Sequence, residues 1–185
     1  MRRRSLIRAC FLAASLLVVT THAAAQKRDP LTDKEVDQMR ETADFPDKRL
    51  EAMVQFTRAR MTAIEQLQTK AKTAKDRHMQ IHDLLEDFTA LMDEVEDNID
   101  MYGSHKADMR RGLTLLIEAD SEWQLKLRRL KEQSPPEELD QYSLVLTNAI
   151  EAAGDIGDDA RKELQEQNQL AKDKKLTKVY TERKD

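Results

Sequence analysis

The chain has 185 residues, with 31 Lys and Arg against 35 Asp and Glu, four Gly, four Pro and one Cys. Residues 1–25 hold four of those cations and none of the carboxylates, so the remainder carries 27 against 35, a formal charge of −8. That acidity excludes a nucleic-acid binder, which needs a basic face against phosphate, and the scarcity of Gly, Pro and aromatic residues beside abundant Ala, Leu, Glu, Lys and Gln is the composition of long helices.

The first segment reads as an export signal. Arg2, Arg3, Arg4 and Arg8 precede an apolar run from Ala9 to Val19, and Ala23-Ala24-Ala25 offers a small-residue cleavage pattern before Gln26. The run is too short for the roughly 20 helical residues that span a bilayer, so no stable membrane insertion is expected once it is cut. Arg3-Arg4-Ser5-Leu6-Ile7 also fits a twin-arginine signal, and both export routes stay open. The expected address is the periplasm or the medium. Cys10 leaves with the signal, so the mature chain must hold itself together without a disulfide. The expected organisation is a cleaved signal at 1–25, a helical bundle at 26–171 and a basic, frayed tail at 172–185.

A short helix is predicted from Thr32, where Thr32-Asp33-Lys34-Glu35 has capping-box spacing, to about Ala43. Leu31-Thr32-Asp33-Lys34-Glu35 resembles the Leu-Thr-x-x-Gln motif of the Spy and CpxP family of periplasmic stress chaperones, with Glu35 in place of the glutamine. The resemblance covers five residues and implies a small exported helical protein that shields unfolded clients.

Pro46 suits the first position of a second helix. From there to Tyr102 no Gly or Pro intervenes, and apolar residues recur at coiled-coil spacing from Leu50 to Ile99. The pattern is weakest from Thr69 to His78. Either a single long helix runs through, or the chain bends near residues 72–76. Gly103 reads as a left-handed C-cap with Ser104 opening the next helix, which runs to Gln133 with Leu113, Leu116, Trp123, Leu127 and Leu130 on one face. Ser134-Pro135-Pro136-Glu137 has capping-box spacing again and starts a last helix, whose seam from Leu139 to Leu164 carries Gly154 and Gly157 without breaking register. Such glycines either bend a helix or let a neighbouring backbone approach, and the unbroken spacing favours a helix that tolerates them.

The expected fold is therefore all-α: an antiparallel bundle of three to four long amphipathic helices plus a short N-terminal one, with coiled-coil-like seams. With no bend, the stripe Leu50, Met53, Ile64 and Leu67 projects beyond the other helices and needs a second chain, so a homodimer of long helices is expected.

Few residues suggest chemistry. His78 and His82 share one helix face with Glu86 a turn on, a low-ranking candidate metal site because a structural site wants four ligands. Asp155, Asp158 and Asp159 do not have the spacing of a calcium loop. The sequence has no nucleophile elbow and no glycine-rich phosphate loop. The expectation is no enzyme and no cofactor. An exported bundle acting through protein contacts, as scaffold, adaptor or chaperone, ranks first; a ligand or metal carrier using the bundle interior or His78 and His82 ranks second.

Overall fold

The computed structural model describes residues 29–69 and 76–178. The expected signal at 1–25, most of the expected bend and the last seven residues lie outside the described residues. Six helices follow in order: α1 Asp33–Glu41, α2 Pro46–Thr69, α3 Arg77–Ser104, α4 Arg110–Gln133, the single turn α5 Pro136–Leu139, and α6 Ser143–Lys172. The all-α expectation holds across the described chain.

α1 starts as its sequence dictates. The Thr32 main-chain N–H donates to Glu35 Oε2 at 2.8 Å while the Glu35 N–H donates back to Thr32 Oγ1 at 3.4 Å. α2 and α3 do not form one rod. They pack side by side and antiparallel, with Arg49 Nε on Asn98 Oδ1 and Tyr102 Oη on the Ala43 carbonyl. Asp76, immediately before α3, takes the left-handed conformation (φ 62°), one of the few non-glycine types that does so at modest cost. The stretch that joins the two helices contains no Gly or Pro. Because the two helices pack together, Leu50, Met53, Ile64 and Leu67, the stripe expected to bind a second chain, are at most 5% exposed inside this one. Any self-association has to use another surface.

The helices occupy four corners. α2 packs on α3 and α4, and α6 packs on α3 and α4. Consecutive helices α3 and α4 are therefore diagonal and face each other across the core, where Phe88 and Trp123 form a T-shaped pair with centroids 5.7 Å apart. Chain direction still alternates, so the neighbours α2/α4 and α3/α6 run parallel. Asp47, Arg58 and Glu65 on α2 meet Gly112, Glu122 and Lys126 on α4 in the same order. The expected antiparallel packing of consecutive helices fails at this one connection.

Residues 105–109 make the diagonal crossing. Gly103 is not its cap: it lies inside α3, and a Cβ there would sit 2.9 Å from Glu163 Oε1, so its smallness seats a side chain. Lys106 instead takes the left-handed position (φ 56°), with its N–H on the Gly103 carbonyl and the Ala107 N–H on that of Tyr102, a Schellman closure. α4 accordingly starts at Arg110, later than Ser104. Its N-terminus borrows a cap from its parallel neighbour, since Asp47 Oδ1 accepts the Gly112 N–H at 2.7 Å. At the other end α4 stops at Ser134, and α6 begins only at Ser143 because the Pro135-Pro136 turn closes on itself as α5.

Candidate functional site

His82 is the centre of what metal chemistry the described residues offer. Its Nδ1 lies 3.7 Å from Asp83 Oδ1 and 3.9 Å from Glu86 Oε2, and one ligand atom from each of the three falls within 4.8 Å of the others. His78 is not part of this group, so the expected His78, His82, Glu86 set becomes His82, Asp83, Glu86. Both carboxylates are exposed. Such a trio offers a transient surface site and lacks the enclosed fourth ligand of a structural one. Asp158 is paired with Arg161 at 2.9 Å, and the aspartates around it stay on the helix α6.

Three buried charges went unsingled in the sequence, and each locks an element in place. Arg60 donates to the Glu35 carboxylate with both terminal nitrogens and to the Pro30 carbonyl, which pins α1 to α2. Burial pushes the Glu35 carboxyl up, but the Arg60 guanidinium and the Thr32 donors outweigh it and hold it below its ordinary value. Arg77 forks onto Glu138 and fixes α5 against the start of α3. Asp120, with no exposed surface, accepts from Arg161 Nη2 at 2.9 Å and Gln124 Nε2 at 2.8 Å, and Gly157 supplies the space: a Cβ there would lie 2.2 Å from Asp120 Oδ2. A glycine kept inside an unbroken helical register is the signal that pointed to such an approach.

The crossing has its own clamp. Gln167, fully buried, accepts the Met109 N–H on Oε1 at 3.0 Å and donates from Nε2 to the Ala107 carbonyl at 2.9 Å and to Glu163 Oε1 at 3.1 Å. Outside it, the segment after α6 returns to the same loop, with the Thr177 N–H on the Lys106 carbonyl at 2.9 Å. The stretch expected to fray from Lys172 is, as far as Thr177, tied down.

Open grooves lie on the described surface. A shallow one of about 680 Å³ runs along α6 from Arg161 to Lys172, and one of about 340 Å³ lies between α2 and α3 beside Leu67, Gln80 and Leu84. Large apolar side chains also stand outside: Phe45, Met79, Leu125 and Leu144, the last 73% exposed. Compared with protein-family profiles, curated proteins and solved structures, the chain has no match.

Proposed function

We propose that the protein is an exported, non-catalytic helical bundle that works through protein–protein contacts, as scaffold, adaptor or chaperone. The supporting observation is where the apolar side chains lie. The interior between the helices is taken by the chain's own Trp123, Tyr102, Tyr142 and Phe88, each almost inaccessible, whereas Leu125 and Leu144 are offered on outer faces of an otherwise charged surface. Buried charges are spent on docking helices to one another, which suits a stiff platform.

Light scattering of a heat-denatured test protein, with and without the mature domain, tests the chaperone form of this reading. Suppression at near-stoichiometric ratio is expected, and Leu125→Glu with Leu144→Glu should weaken it. The carrier reading keeps one specific observation, the His82, Asp83, Glu86 trio. Native mass spectrometry separates the two: no scattering effect together with a retained small molecule or metal ion would transfer the protein to the carrier class.

A further inference from the structure

α1 follows the boundary between α2 and α3. At one end Arg49 of α2 donates to the Met39 carbonyl of α1 and, from Nε, to Asn98 of α3, while Tyr102 of α3 donates to the Ala43 carbonyl just beyond α1. At the other end Arg60 of α2 donates to the Glu35 carboxylate and to the Pro30 carbonyl. α1 therefore runs antiparallel to α2. Followed backwards through Pro30 to Asp29, the first described residue, the chain is heading past Arg60 toward the far end of α2.

That line leads into the open groove of about 340 Å³ between α2 and α3. α2 contributes Gln66 and Leu67 to it, and α3 contributes Gln80, Leu84 and, one turn apart, Asp83 and Asp87. No described residue of its lining is a cation. Such walls suit a short extended segment with positive side chains: the glutamine amides can pair its main-chain groups, and the two carboxylates its charges.

The residues that come next in this direction are Arg28, Lys27 and Gln26, two cations in a row. We propose that Gln26-Lys27-Arg28 docks in this groove and prolongs the path of α1 along the α2–α3 boundary, with its cations on Asp83 and Asp87. The reach agrees. From Arg60 to Leu67 is about 10 Å by the rise of α2, and the four residues from Asp29 back to Gln26 span about 13 Å when extended. The groove is then occupied by the chain itself, so a partner directed to Asp83 and Asp87 has to displace the segment first.

A nitroxide on Gln26→Cys tests the seat by NMR, since a chain that starts at Gln26 has no other cysteine. The amides of Gln66, Leu67, Gln80 and Leu84 should lose intensity. Lys27→Gln with Arg28→Gln, which leaves every described contact in place, should restore it, and 1 M NaCl should do the same by screening. A mixture of spin-labelled chains with unlabelled, isotope-enriched ones reads contact between copies. Equal loss in that mixture assigns the groove to the N-terminus of a second copy and overturns the proposal. Full intensity in the labelled chain also overturns it and leaves the groove to another cation, from Lys70, Lys72 and Lys75 at the α2–α3 connection or from a partner. A loss that survives both the double substitution and salt overturns it as well, because the two carboxylates would then not be holding the segment.

Discussion

Gly157 and Gly154 sit three residues apart on α6 and yet should respond oppositely to alanine. In a helix interior alanine is favoured over glycine by about 1 kcal/mol. Nothing lies within 4 Å of a Cβ at Gly154, so Gly154→Ala should stabilise by up to that amount. At Gly157 the new methyl would displace the buried Asp120 carboxylate from the half-exposed Arg161, and leaving a buried charged group without its partner costs at least about 1–3 kcal/mol. Chemical denaturation of the two variants checks the opposite signs. Gln167→Ala is a second residue-scale test. It leaves the buried Met109 N–H and Ala107 carbonyl unpaired, about 1–3 kcal/mol each, and midpoints should fall by about 2–4 °C per kcal/mol. Sequence spacing exposed Gly157 as an anomaly, but nothing local could name Asp120, since 37 residues separate them. Gln167 gave no signal at all, because a glutamine on a helix is ordinary until its partners are known.

At the scale of elements, pairs that lie within one turn are the ones that spacing can show, yet not every one forms: Ser134 does not cap α5 and donates to the Leu130 carbonyl instead. The Thr32 and Glu35 cap is such a local pair, and it formed. Gly103 was misread because glycine serves two needs, left-handed backbone and close approach, and the sequence does not say which. The left-handed duty falls to Lys106, a residue for which that conformation costs about 1–2 kcal/mol. Lys106→Gly should therefore stabilise by about 1 kcal/mol, read as a shift in denaturant midpoint with unchanged slope. α1 is an element that acid should loosen. Its anchor Glu35 is held below its ordinary value of 4.5, as is Glu122 by its hydrogen bond from Lys126 on the α2–α4 side. Carboxyls lowered in the folded state contribute stability above the ordinary value and lose it as pH falls through the folded one. Acid titration below about pH 4.5 should therefore release α1 early, and Glu35→Gln should leave the release less dependent on pH, as followed by proteolysis near Ala43.

For the whole molecule, the sequence supported a bundle but not its corner assignment. A 3.6-residue period says which face of a helix is apolar, not which helix will cover it. The stripe from Leu50 to Leu67 was legible as buried, but its cover is the same chain. The parallel pairing of α2 with α4 is open to a direct check: Lys126 Nζ lies 3.2 Å from Glu65 Oε2 and 2.9 Å from Glu122 Oε1. Carbodiimide coupling should join peptides from α2 and α4 through Lys126 and Glu65 in the monomer fraction. A bundle with those helices on a diagonal would give only the Lys126–Glu122 product within α4.

Gln167 follows the crossing that it clamps by some 60 residues. A polypeptide emerging N-terminus first therefore exposes α2, α3 and α4 before the residue that secures their arrangement exists, and both parallel pairings join stretches remote in sequence. Closure must wait until α6 has been made, and such non-local pairing slows the search. A nascent chain stopped before Ser143, with α6 not yet made, should stay open to protease for as long as it is tethered, and one extended until Lys172 is free of the ribosome should close.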